Sequence, residues 1–257
     1  MAKWTAFPHP GDYSYTASSL KKHWARLHAG DAEPLPSQPA VLQAWALFHN
    51  GEFQKAAEAG LAAGGGGLTA ANKATCIYAN YLEKKEKAKL DLFLAAAQRA
   101  EQQAAAEPDN ANAWYWQAYA LGRYSQGISV AKALAQGLGT KVKDALEKTI
   151  RLQPHHADAH IALAAFHAEV IDKVGTLIGG MTYGAKKDAG LKLFQQALKL
   201  NPGAPIAMIE YANGMVMLEG DRKMKEATKL YEQAAGSNPM DAMERLDVEL
   251  AKVELQE

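Results

Sequence analysis

Residues 111–122 read ANAWYWQAYALG, and this stretch sets the architecture of the chain. Trp114, Gln117, Ala118 and Leu121 recur at helical spacing, so a large, a small and another large side chain share one face. A neighbouring helix can approach closely at the small residue. The same offsets return at Thr75, Tyr78, Ala79 and Leu82, at His160, Leu163, Ala164 and His167, and at Met208, Tyr211, Ala212 and Met215. A second pattern precedes four prolines: Ala96, Ala100 and Gln103 before Pro108; Val142, Leu146 and Thr149 before Pro154; Gly190, Phe194 and Ala197 before Pro202; Ala227, Tyr231 and Ala234 before Pro239. Proline has no amide proton to continue a helix and pre-sets the turn that follows, so each marks the end of a helical hairpin. A hairpin repeated in this way hides its apolar face only by stacking on the next copy.

Composition agrees with that reading. The 257 residues include 51 Ala but only 8 Val, 8 Ile and 9 Thr, so helix formers far outnumber the β-branched residues that favour sheet. Lys plus Arg and Asp plus Glu both count 28, and the zero formal charge lacks the electrostatic footprint of a nucleic-acid or membrane-surface binder. The N-terminus MAKWTAFPHP has no apolar core of a secretory signal, and the most apolar window, near 170–181, carries Asp172, Lys173 and paired glycines. A cytoplasmic protein without stable membrane insertion is expected. Cys76 is the one cysteine, flanked by Thr75, Ile77 and Tyr78, and reads as a packing residue rather than a nucleophile.

The two helical patterns resemble the tetratricopeptide repeat family, whose first and second helices are similar to residues 111–122 and to EATKLYEQAAGSNP at 226–239. The resemblance spans about residues 39–239 and implies an all-α solenoid: about five helical hairpins in a right-handed superhelical arc, with an N-terminal helix and a C-terminal capping helix. The first hairpin, carrying Ala44, Leu47, Gly51, Phe53 and Ala56, lacks a closing proline; the tetraglycine 64–67 stands there and reads as a flexible connector. Two hairpins exceed the family's spacing, which places glycine-punctuated insertions near 123–141 and 172–188. With LFQQALKLNP after them, these insertions are also similar to two narrower groups: tetratricopeptide proteins associated with TRAP transporters, and regulators of microtubule dynamics. Residues 1–38 form a leader in which Leu20, Trp24 and Leu27 share a helical face, Ser18 or Ser19 caps the start, Gly30 ends it and a proline-rich linker follows. Residues 240–257, with Leu246, Leu250 and Val253 at helical spacing, are expected to cap the solenoid's exposed end.

Few residues suggest chemistry. His155, His156, His160 and His167 crowd one region, but two occupy repeat packing positions and two follow Pro154, so turn and packing roles outweigh a metal site. GGMTYGAKKD has two glycines at phosphate-loop separation, yet Ala185 stands where that loop needs Lys. Lysines 84, 85, 87 and 89 alternate with acids as on a solvated helix. No catalytic, cofactor-binding or metal-binding set is therefore expected, and no cofactor.

The expected function is a non-catalytic scaffold or adaptor that holds a protein or peptide segment in its concave groove, with homo-oligomerisation left open. The alternative is a small-ligand or solute-binding accessory protein whose pocket the glycine-rich insertions close. The resemblance implies which first-helix positions line the groove: Lys73, Cys76, Asn80, Glu83 and Lys84; Asn112, Tyr115, Tyr119, Gly122 and Arg123; Asp158, Ile161, Ala165, Ala168 and Glu169; Ile206, Ile209, Asn213, Val216 and Met217. Lys73, Asn80, Asn112, Tyr115, Tyr119, Arg123, Asp158, Glu169, Ile209 and Asn213 are the expected partner contacts. Tyr115, Tyr119 and Arg123 form the expected anchor, since tyrosine and arginine often dominate interface energies. The family's carboxylate clamp needs basic residues where this chain has Cys76, Asn80, Tyr115, Tyr119, Ile161 and Ala165, so acidic chaperone tails are not expected partners.

Overall fold

The alanine-rich periodic runs fold as helix, and no strand occurs among the described residues. The computed structural model describes residues 3–256. In chain order the helices are α1 (Ala17–Leu27), α2 (Pro39–His49), α3 (Phe53–Ala63), α4 (Gly67–Tyr81), α5 (Glu86–Ala106), α6 (Ala111–Gln126), α7 (Val130–Ala135), α8 (Leu138–Leu152), α9 (Ala157–Tyr183), α10 (Lys187–Leu200), α11 (Pro205–Glu219), α12 (Met224–Ala235) and α13 (Ala242–Glu254). The chain divides into two units: the described parts of Met1–His28, Glu33–Leu152 and Met240–Met243, and those of Ala29–Ala32, Gln153–Pro239 and Glu244–Glu257.

In the first unit, α2 with α3, α4 with α5, and α6 with α8 form three hairpins, and α2, α4 and α6 also pack side by side. The second unit repeats the arrangement with α9 and α10, then α11 and α12, with α9 against α11. Each unit is thus a stack of helical hairpins, three in the first and two in the second, of an all-α repeat fold. The small residues of the motif sit where helices meet: Ala79, Ala164 and Ala212 have no exposed surface, and Ala118 has 1%. The second-helix position is filled in the same way, and Phe194 lies so close to Gly214 that a Cβ there would stand 2.3 Å from its ring. Pro108, Pro154, Pro202 and Pro239 each fall shortly after a helix end. Trp114 adds a tie, its indole N–H donating to the Pro108 carbonyl at 2.9 Å.

Local chemistry adjusts several expectations. Thr16, not Ser18 or Ser19, caps α1; Ser19 completes a reciprocal capping box, and His28 rather than Gly30 occupies the C-cap. The tetraglycine is a tight turn rather than a loose connector. Gly64 ends α3 with φ 64°, and a Cβ on Gly60 would stand 2.5 Å from the Gly67 carbonyl oxygen, so α3 and α4 cross almost backbone to backbone. Residues of the first insertion become the end of α6, the short α7 and the start of α8. Those of the second extend α9 to Tyr183, interrupted at Gly175, whose φ of 80° and ψ of 160° are non-helical.

The leader, apart from Ala29–Ala32, is part of the first unit. Trp4 stacks on Tyr78 with centroids 4.2 Å apart, Phe7 covers Gly51, and the Tyr15 and Asn50 backbone and amide groups bond reciprocally at 2.6 and 2.9 Å. Leu20, Trp24 and Leu27 of α1 are buried. Residues 240–243 belong to this unit as well: Tyr15 donates its hydroxyl to the Met240 carbonyl at 2.7 Å, and buried Asp241 meets His49 Nδ1 at 2.6 Å. The stretch expected only to cap the last hairpin therefore also contributes to the first unit. From Glu244 onward it serves the second, where Ala251 packs with Ile209 and Ala234.

Candidate interaction surface

The first helices of the first unit present large, mostly aromatic faces, and α1 with the linker covers α2 and the start of α6. Trp24 stacks on His28 at 4.0 Å and meets Trp45 edge-on at 6.0 Å, while its indole donates to the Glu33 carbonyl at 2.8 Å. His28 in turn lies 3.2 Å from His49, nitrogen to nitrogen. The Glu33 carboxylate, itself buried, accepts from Asn112 Nδ2 at 2.6 Å. Lys73 is also enclosed, its ammonium 5.2–5.9 Å from the rings of Phe48, Trp45 and Trp116.

Three expected contacts in this unit are thus corrected: Lys73, Asn112 and Tyr115 are buried. Tyr115 packs edge-on against Trp116 at 5.0 Å. Asn112 is held by Glu33 of the leader, a long-range contact that leaves no local trace in the sequence, whereas Lys73 is enclosed by the rings of Phe48, Trp45 and Trp116 and Tyr115 packs among the aromatic neighbours of its own helix. Asn80, Tyr119 and Arg123 stay partly exposed. Arg123 lies over the Tyr119 ring at 5.4 Å and donates to Gln126 Oε1 at 3.3 Å, which keeps this pair together as a small surface feature. Beneath it, Cys76 is fully buried and desolvation pushes its thiol up to about 12, although the charges of Arg99 and Arg123 oppose the shift. A thiol held neutral in this way is a packing group.

In the second unit Ile209 is corrected too. It is buried in the cluster with Ala234 and Ala251. Asp158 sits at the start of α9, its N–H donating to the Gly30 carbonyl at 3.0 Å and its carboxylate against Gly30. Glu169 lies 3.9 Å from Lys173. The histidine cluster is tied to backbone: His156 caps α9 by accepting from the Ala159 N–H at 3.1 Å, His160 Nδ1 meets the His156 carbonyl at 2.9 Å, and His167 accepts from the Lys186 N–H at 3.3 Å. No group of three or more His, Cys, Asp or Glu able to hold a metal occurs among the described residues.

Asn213, Val216 and Met217 do come together, on one wall of a groove of about 350 Å³. Met224, Ala227, Thr228 and Tyr231 of α12 form the facing wall, and Glu254 and Leu255 close one end. Asn213 Oδ1 accepts the Tyr231 hydroxyl at 2.6 Å, which fixes both polar groups and leaves the lining largely apolar. Burial raises the Tyr231 pKa, helped by the negative charges of Glu254 and Glu210, so the phenol stays protonated as the donor. Met217, Met224 and Leu255 are 40, 50 and 39% exposed. The α12 and α13 residues escape a sequence reading because Tyr231 looks like an ordinary packing position, and nothing local tells that the chain's end returns to α11. The one available signal was the pair of methionines, unusual on a solvent face.

Comparison with known proteins follows the same lines. Among solved structures, a thermophilic TPR protein of Thermus thermophilus matches with a TM-score of 0.59 at 16% identity, over 83% of this chain and 97% of that one. Human IFIT1, solved as a dimer with PPP-AAAA, matches at a TM-score of 0.42 and 13% identity over 93% of this chain and 66% of that one, a likeness too distant to bear on function. No curated protein matches. No helix among the described residues is long and apolar enough to cross a membrane. The model of one family, regulator of microtubule dynamics protein 1-3, matches residues 68–255, which covers four of the five hairpins and α13. With that match over most of its length, and with the tetratricopeptide fold beneath it, the chain belongs to the regulator of microtubule dynamics protein 1-3 family.

Proposed function

We propose that this protein is a non-catalytic interaction scaffold whose accessible partner surface is the groove between α11, α12 and the end of α13. One observation carries the reading. Three positions that the tetratricopeptide pattern assigns to the partner groove, Asn213, Val216 and Met217, line an open, mostly apolar concavity in the second unit. In the first unit the leader already covers part of the first-helix face, through Trp24, Glu33 and Asn112, while Asn80, Tyr119 and Arg123 stay partly exposed. Methionine walls adapt to varied side chains, as suits a site for an apolar peptide segment. The solute-binding alternative is less favoured, because the groove takes no lining residue from the two insertions.

The test is affinity capture with the full chain, comparing the native sequence with Met217→Asp. Met217 is partly exposed, so folding should survive, while a carboxylate in the groove should remove captured protein partners. A parallel Tyr119→Ala and Arg123→Ala variant examines the remaining surface of the first unit. Capture that persists in Met217→Asp, at unchanged melting temperature, refutes the groove assignment. The family's name makes microtubules the first partner to try, by co-sedimentation with the purified chain.

A further inference from the structure

We propose that His28, His49 and Asp241 form an acid-released clasp that holds the segment leading into α13 on the first unit, closed while the two imidazoles share one proton between them and opened when both are fully protonated. The three residues come from the end of α1, the end of α2 and the position before α13, and they are 3, 0 and 1% exposed. All three belong to the first unit. Asp241 Oδ2 lies 2.6 Å from His49 Nδ1, and His49 Nε2 lies 3.2 Å from His28 Nε2. A carboxylate, an imidazole and a second imidazole thus stand in one buried line. An ionised carboxylate only accepts, so His49 Nδ1 carries a proton. Between the two Nε2 atoms one proton fits, because a donor needs a lone pair opposite it. Whichever ring supplies it, two imidazolium ions cannot keep this geometry: their Nε2–H groups would face each other.

The surroundings sharpen that limit. Trp24 stacks on His28 at 4.0 Å and Trp45 meets it edge-on at 4.7 Å, walls that solvate a second positive charge poorly. From the leader, the Tyr15 ring stands 6.0 Å from His49 while its hydroxyl donates to the Met240 carbonyl, and exposed His23 packs against Tyr15 at 5.9 Å. Lys73 of α4 reaches the Trp45 ring at 5.7 Å. Asp31 and Glu33 of the linker and Glu244 and Asp247 of α13 are the other buried charged groups on these elements among the described residues. Carboxylates favour the first added proton, but none of them relieves two opposed N–H groups. A solvated histidine takes up its proton near pH ~6.5, so below that value the open clasp holds both protons and the closed one holds one fewer. Acid therefore favours opening, by up to about tenfold in the equilibrium per pH unit for one proton. Opening frees Met240 and Asp241 from Tyr15 and His49, and with them the start of α13.

The experiment is a pH series on the full chain from about 7.5 down to about 5, a range in which ordinary carboxylates stay ionised. One readout is the thermal midpoint by tryptophan fluorescence, which reports the first unit because every tryptophan lies there. His28 and His49 are the buried histidines of that unit, since His9 and His23 are not buried. The other readout is nitrogen NMR of the histidine rings, with the Asp241 amide as the reporter of the clasp. At neutral pH one Nε2 should be protonated and its neighbour bare. On acidification the midpoint should fall, and the Asp241 amide should shift in step with the second protonation. His28→Phe keeps a ring against Trp24 but cannot titrate, so it should flatten the profile; His28→Gln repeats that arm should the phenylalanine variant fail to fold. A native midpoint that stays level overturns the proposal, as does a fall that a folded His28 variant retains in full. The NMR needs no variant: two imidazolium rings with an unmoved Asp241 amide would show that the closed clasp tolerates both charges, and the proposal would fall.

Discussion

Trp24→Ala measures whether the leader is a structural member of the first unit or a strip lying on it. The residue is 7% exposed, stacks on His28, meets Trp45 edge-on and donates to the Glu33 carbonyl at 2.8 Å. Truncating a buried tryptophan to alanine costs about 3–5 kcal/mol through lost burial and the cavity left behind. The orphaned Glu33 carbonyl falls within that figure unless water reaches it. At about 2–4 °C per kcal/mol for a chain of this size, the midpoint should fall by on the order of 10 °C. The assay is selective by good fortune of sequence: all five tryptophans, Trp4, Trp24, Trp45, Trp114 and Trp116, belong to the first unit. Thermal unfolding followed by tryptophan fluorescence thus reports that unit, while circular dichroism at helical wavelengths reports both. Trp24→Phe keeps the ring contacts and loses only the hydrogen bond, so it should cost about 1–3 kcal/mol. A fluorescence midpoint that moves by less than about 2 °C in Trp24→Ala refutes the account of the leader as core.

Two glycines should respond in opposite directions to alanine. Gly122, inside α6 with nothing near its missing Cβ, should gain about 0.5–1 kcal/mol from helix propensity, whereas Gly60→Ala would drive a Cβ to 2.5 Å from the Gly67 carbonyl and lose about 1–3 kcal/mol net of any such gain. Denaturant midpoints give the order, and a stabilising Gly60→Ala would contradict the close crossing of α3 and α4. Cys76, its pKa raised from 9.0 to about 12, should react with a thiol reagent only as fast as the native state opens. The unfolded chain releases this proton first, so native stability should decline as pH rises from about 9 towards 12, and Cys76→Ala should flatten that part of the profile. Asp241→Ala removes the buried partner of His49 and should cost the first unit about 1.5–3 kcal/mol by fluorescence. Ending the chain at Pro239 should shift both the fluorescence and dichroism transitions, since residues 240–243 serve one unit and Leu250 and Ala251 the other.

Legibility followed the range of the interactions. The recurring large, small and large face of α4, α6, α9 and α11, and the prolines after α5, α8, α10 and α12, are local signals, and each became a helix or a turn. Asn213, Val216 and Met217 stand at offsets that recur along a repeat, and they line the groove of the second unit. The burial of Lys73 and Asn112 was not legible, since Asn112 is buried against Glu33 and Lys73 among the rings of Phe48, Trp45 and Trp116, none of them on the same helix as the residue it buries. Tyr231 and Leu255 were hidden for the same reason: the groove exists only once the chain's end lies against α11 and α12.

By itself, then, the sequence determined the all-α class, the helical hairpins and their order, because helix propensity, 3.6-residue periodicity and proline stops act over a few neighbouring residues. The tertiary structure alone decided which of the repeat faces remain open. That outcome turns on two non-repeating segments: the leader covers part of the first-helix face of one unit, and α13 completes a groove in the other. Burial of a face depends on which distant segment reaches it, and no local pattern encodes that choice.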